Sequence, residues 1–159
     1  MTDLTPNSIW TLITIDDPDM VCGDSIYDMI KLLSDVFKFK FAITYDIVGS
    51  GKKNGIIYSL QNRSDEVIEM DELLKIISDI NQLDWGDFFL FKNYPTHWDN
   101  PDDKLYPYFI LQSDTTVRAV DNQYFYIYTP DENVAKLIQL NYEIESIKTG
   151  NLDDLDFPE

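Results

Sequence analysis

The side chains able to do chemistry in this chain are few. His97 is the only histidine and Cys22 the only cysteine. A histidine-based triad would have to use His97, which stands between Thr96 and Trp98 in a polar stretch, and no Gly-x-Ser-x-Gly turn accompanies it. A single cysteine excludes an internal disulfide and a multi-cysteine zinc site. Cys22 is therefore read as an incidental thiol near a helix start. Gly49-Ser50-Gly51-Lys52-Lys53 looks superficially like a phosphate loop, but that motif needs four residues between its glycines and a following helix. Asp102-Asp103-Lys104 contains the Asp-x-Lys triplet of metal nucleases, with Asp84 and Asp87 upstream. Nucleases carry that triplet on a strand beside the metal-bound water, whereas this one follows Pro101 in a loop. Asp16, Asp17 and Asp19 form one acidic cluster, and Asp99, Asp102 and Asp103 another. Neither has the glycine and terminal glutamate of an EF-hand loop. The expectation is a protein without catalytic residues, metal or cofactor.

Charge is more informative than any motif. The 159 residues carry 29 acidic and 12 basic side chains, a formal net charge of -17. A disordered acidic chain is poor in aromatics, but 14% of this one is Phe, Trp or Tyr, enough to build a core. A compact domain with this surface repels nucleic acid and anionic membranes, and it speeds association with basic proteins. No segment reaches the roughly 18 consecutive apolar residues of a membrane span. The first residues show neither the basic nor the apolar region of a secretory signal. A cytoplasmic protein is the corresponding expectation.

The elements that must position these residues read as follows. Ile9 to Ile15 is a β-branched strand, and Asp24 or Ser25 caps a helix carrying Ile26, Met29, Ile30, Leu33 and Phe37. Phe39 to Val48 and Ile56 to Leu60 read as a hairpin around a turn at 49–55. Asp71 opens a second helix. Gly86 to Lys92 is a strand, and Tyr94 to Lys104 a loop. Tyr106 to Gln112, Thr116 to Val120 and Gln123 to Tyr128 read as a meander, with Asp121-Asn122 as a turn. Thr129-Pro130-Asp131-Glu132 reads as a capping box for a closing helix reaching Lys148 and stopping at Gly150. Together they predict a single α+β domain over residues 1–150, a mostly antiparallel sheet with about three helices packed on one face. Residues 151–159 form an acidic tail that hangs free unless Leu152, Leu155 and Phe157 dock.

With chemistry set aside, a surface for a basic protein partner remains. The stretch 94–108 combines Tyr94, His97, Trp98, Tyr106 and Tyr108 with Asp99, Asp102 and Asp103. Aromatic anchors inside a charged rim are how protein interfaces concentrate energy. Two readings of Trp98 and Tyr106 stay open, contact residues or plugs for the edge of the core. Asp16, Asp17 and Asp19 supply a second acidic rim. Tyr124, Tyr126 and Tyr128 share one face of their strand, open to a partner or covered.

In size, α+β order, the acidic aromatic loop YPTHWDNPDDKLYPY and the capped helix TPDENVAKLIQ, the chain resembles the immunity proteins that protect bacteria from polymorphic and contact-dependent toxins. The resemblance carries no diagnostic motif and transfers no site residues. It implies a cognate basic toxin of nuclease type, tight binding and inhibition by steric and electrostatic blocking. The alternative is a phage-type DNA mimic that inhibits a nucleic-acid-binding defence enzyme. Asp131, Glu132, Glu143 and Glu145 would lie along its closing helix. The lesser alternative is a small metal-dependent hydrolase.

Overall fold

The computed structural model describes residues 8–17, 21–100 and 106–158. One antiparallel sheet of seven strands organises them: β1 (Ile9–Asp16), β2 (Phe41–Gly51), β3 (Val67–Glu69), β4 (Ile80–Phe91), β5 (Thr115–Val120), β6 (Tyr124–Thr129) and β7 (Ser146–Asn151), in the order β3-β2-β4-β5-β6-β1-β7. Five α-helices accompany it: α1 (Gly23–Phe37), α2 (Ile56–Asn62), α3 (Met70–Ile77), α4 (Tyr106–Gln112) and α5 (Glu132–Asn141). A 3-10 turn at Leu152–Asp154 follows β7. The α+β class and the antiparallel sheet are as the sequence predicts.

Helices cover both faces of the sheet, not one. On the first face Ile13, Ile15, Phe88, Leu90, Val117, Phe125 and Ile127 pack against Ile26, Met29, Ile30 and Leu33 of α1, Leu73 and Ile77 of α3, and Val134 and Ile138 of α5. On the second face Trp10, Leu12, Ile43, Phe89, Phe91 and Tyr128 meet Phe109 and Ile110 of α4, together with Leu152 and Leu155. The period-2 alternation of strands sends adjacent residues to opposite faces. This is why Phe88 and Phe89 lie in different cores and why all six residues of β5 are buried.

Several local expectations change. Ile56 to Leu60 is helix α2, not a returning strand. β4 runs along one edge of β2, β3 takes Phe41–Ile43 of the other, and Gly55 turns the chain into the helix at φ 80°. Tyr106 to Gln112 is also a helix. Its Tyr106, Phe109 and Ile110 fall at i, i+3 and i+4, and Pro107 sits in the first turn, where a missing N–H costs little. The closing helix ends at Asn141, and 146–151 becomes β7. Asn141 and Glu145 interrupt the apolar stripe, and Ile147 and Thr149 favour an extended chain.

The caps shift too. Asp131, not Thr129, caps α5, its carboxylate accepting from the Asn133 N–H at 2.9 Å. Thr129 is buried at the end of β6, against the Thr115 hydroxyl at 3.0 Å. Cys22 caps α1, with the Ser25 hydroxyl accepting from the Cys22 N–H and donating to its carbonyl, both at 3.0 Å. Gly49, from the apparent phosphate loop, lies within β2, where a Cβ would stand 2.2 Å from the Gln82 carbonyl oxygen. Close approach of two strands, not anion binding, accounts for that glycine. Asp121 and Asn122 form the expected turn, both at positive φ, as a tight hairpin demands.

Candidate functional site

The second face of the sheet gathers most of the residues singled out in the sequence, and it is roofed in two halves. Over β2, β4 and β5 lie the 94–100 segment and α4. Trp98 turns inward, 5.0 Å from Phe89 and 5.9 Å from Phe109 between ring centroids. Its indole N–H donates to Asp65 Oδ1 at 2.8 Å, and Asn100 Nδ2 donates to Asp65 Oδ2 at 2.6 Å. The Tyr106 hydroxyl donates to Asp46 Oδ2 at 3.2 Å. Asp46 and Asp65 both stand at positive φ, a conformation aspartate tolerates better than most residues. Asp65 holds the loop, and Asp46 holds the start of α4. Trp98 and Tyr106 thus pack, half-buried, against the second core.

The other members of that stretch face outward. Tyr94 is exposed, edge-on to Phe41 at 5.3 Å, and His97 is exposed. Asp99 is exposed, held by the Tyr108 hydroxyl at 2.6 Å and, through its backbone N–H, by Gln112 Oε1 at 2.9 Å. Asp102 and Asp103, like Asp19, lie outside the described residues. Asp16 and Asp17 stand at the far end of the strands, where Asp16 lies opposite Tyr124. Asp16 accepts from Gln123 Nε2 at 3.2 Å, and the Asp17 N–H donates to the Gln123 carbonyl at 2.7 Å. The two predicted rims are thus separate surfaces.

Over β1 and β6 the roof is the tail. Leu152 and Leu155 are buried, and Phe157 stacks on Tyr128 at 5.4 Å with rings 4° from parallel. The Tyr128 hydroxyl donates to the Asp156 carbonyl at 2.6 Å. The condition set for docking is met: all three apolar side chains of the tail pack on the sheet.

Between the two halves lies a charged pair that sequence reasoning missed. Arg118 on β5 and Asp87 on β4 are cross-strand partners, and both are fully buried. Arg118 Nε donates to Asp87 Oδ1 at 2.9 Å, and Nη2 donates to the Pro158 carbonyl at 2.6 Å. The guanidinium also lies over the Tyr106 ring, 3.8 Å from its centroid, and 5.2 Å from that of Trp85. Arg118 thereby ties α4 on one side to the tail on the other. A readable signal existed, since a charge inside a strand buried on both faces must find a partner.

Burial pushes the Asp87 carboxyl up, the guanidinium pulls it back, and the balance lies at about 6. In the unfolded chain the same group titrates near roughly 4. Between those values the folded protein holds a proton that the unfolded chain has released. Stability contributed by Asp87 therefore rises as pH falls from 7 towards 4. Relief of repulsion among surface carboxylates acts in the same direction. Urea unfolding should show a higher midpoint at pH 5 than at pH 7. High salt should remove the surface share and leave the buried share, and Asp87→Asn should abolish the buried share. A midpoint that falls on acidification would refute this account of the pair.

The tyrosine row of β6 divides. Tyr128 is covered, while Tyr124 and Tyr126 are half-buried and T-shaped to one another at 6.3 Å. Partial burial first, then the charges of Asp156, Glu145 and Asp121, raise the Tyr126 hydroxyl above its ordinary range. Asp16 is the cross-strand neighbour of Tyr124, so this aromatic pair has acidic neighbours.

Among the described residues no three His, Cys, Asp or Glu side chains are grouped to hold a metal ion, and no helix is long and apolar enough to cross a membrane. Glu143 and Glu145 lie beyond the end of α5, so the carboxylate row expected of a DNA mimic does not lie on one helix. Set beside known proteins, the chain matches no family model, no curated sequence and no solved structure.

Proposed function

We propose that this protein is an acidic protein-binding inhibitor of the immunity type, which neutralises a basic, nuclease-type partner by steric and electrostatic blocking. The observation that carries the reading is the half-buried Tyr124–Tyr126 pair, with Asp16 across from Tyr124 and the charges of Asp156, Glu145 and Asp121 acting on the Tyr126 hydroxyl. Interfaces place aromatic anchors in a charged rim. The charge balance adds to it. Most of the described cations are held by carboxylates of the chain itself, as in Lys31–Asp35, Lys52–Asp24, Lys53–Asp79, Arg63–Glu72 and Lys148–Asp156. The acidic excess is therefore left to face outward. Asp99, Tyr108, Tyr94 and His97 provide a further contact surface in the same reading.

The test is capture of a binding partner at moderate salt, followed by binding kinetics with the isolated pair. One stoichiometric basic protein is expected, with an on-rate that falls as salt rises. Tyr126→Ala and Asp156→Lys should each weaken binding by roughly 10-fold or more, the scale of an interface hot spot, while the folded fraction is unchanged by circular dichroism. Association independent of salt would remove the electrostatic part of the reading. Full binding by both variants would move the site elsewhere.

A further inference from the structure

The sheet has two edges, and they differ. The β3 edge is three residues long with Ile68 buried, the kind of short edge that discourages pairing. The β7 edge is six residues long, and all but Gly150 are exposed. Among the described residues no strand pairs with its outer side. Every second residue of such a strand turns its N–H and C=O away from the sheet, a template for one more strand. Neither proline nor a bulge guards it. Its one charge, Lys148, is committed to Asp156 at 2.5 Å.

The two sides of this edge have different chemistry. Ile147 pairs with Ile13, so it lies on the α1 side of the sheet, and it is 43% exposed. Ile9 has the same parity on β1 and is 60% exposed. Lys148 pairs with Leu12 on the opposite side, where Asp156 stands. Glu143 and Glu145 precede the strand, and Asp153 and Asp154 follow it, all exposed. From 143 to 156 the chain carries five carboxylates and one lysine. A second copy of this chain would bring the same negative charge to the same edge, against Coulomb repulsion. The complementary occupant is an extended segment that alternates apolar with Lys or Arg residues.

We infer that β7 is the docking edge for such a basic strand of a partner protein, which adds to the sheet as an eighth strand by β-augmentation. Backbone pairing along 146–151 supplies register, Ile147 and Ile9 receive the apolar side chains, and the flanking carboxylates receive the basic ones. This rests on the protein-binding reading and names its edge. The Tyr124–Tyr126 patch adjoins it, since Tyr126 pairs with Thr14 and Thr14 with Ser146.

The experiment uses the full chain and two decapeptides of equal charge, one alternating lysine with valine, the other lysine with proline. Affinity is measured at low ionic strength, and backbone amide exchange is followed by NMR. Proline removes half the N–H groups and holds the peptide off the strand conformation. The lysine–valine peptide should bind at least 10-fold tighter and slow exchange at amides within 146–151. Equal affinity with unchanged exchange there would overturn strand addition and leave the acidic binding reading standing. Binding by neither peptide would overturn both.

Discussion

Arg118→Met should destabilise the protein by about 3–5 kcal/mol, the cost of removing one partner from a fully buried ion pair. Asp87 loses its countercharge, and its unopposed desolvation drives the buried carboxyl to the neutral acid, with its hydrogen bond to the guanidinium gone. The guanidinium contacts to Tyr106 and to the Pro158 carbonyl are lost at the same time. The double variant Arg118→Met with Asp87→Leu should recover most of that loss, because an apolar pair of similar volume needs no countercharge. Even in the native pair, Asp87 Oδ2 and Arg118 Nη1 find no hydrogen-bond partner among the described residues. Urea unfolding of the two variants decides the matter. If the double variant were as unstable as Arg118→Met, the Arg118 contacts to the roof, rather than charge pairing, would hold this region.

The second large effect is expected from the tail. A chain ending at Asn151 loses Leu152, Leu155 and Phe157 from the second core. It also loses the carbonyls of Asp156 and Pro158 that receive Tyr128 and Arg118. Truncating one buried leucine to alanine costs about 2–5 kcal/mol, so removing both and the stacked phenylalanine should cost at least about 4 kcal/mol. That is a large share of the roughly 5–15 kcal/mol that holds a domain together. Thermal unfolding of the shortened chain should show a much lower midpoint or no cooperative transition. The single change Leu155→Ala should show a smaller loss of the same kind. A shortened chain that melts like the full one would make the tail a loosely seated flap.

Helix α1 was readable because fifteen residues of consistent apolar spacing leave one face to bury. Strands β1, β5 and β6 were readable because β-branched and aromatic residues alternate between turn residues. The runs IIYSL and YPYFILQ were not. Over five to seven residues the propensity differences between helix and strand sum to a few kcal/mol at most, and burial of a few large side chains, at about 1.5–3 kcal/mol each, outweighs that. Of the two readings of the 94–108 stretch, the sequence could not choose. The packing of Tyr106 and Trp98 depends on Asp46 and Asp65, distant in sequence, whose carboxylates accept from them.

The sequence alone determined the sign and size of the net charge, from which the proposal of a basic partner starts. It also determined the antiparallel α+β character, because alternation and turn chemistry are local properties of the chain. Only the tertiary structure decided that the sheet has two covered faces, that the tail is part of the second roof, and that Arg118 and Asp87 meet inside it. It alone decided that β7 ends the sheet as an open edge. These features depend on which strands become neighbours. That selection is made by pooled burial across the whole chain, to which each residue adds only a small, non-directional share.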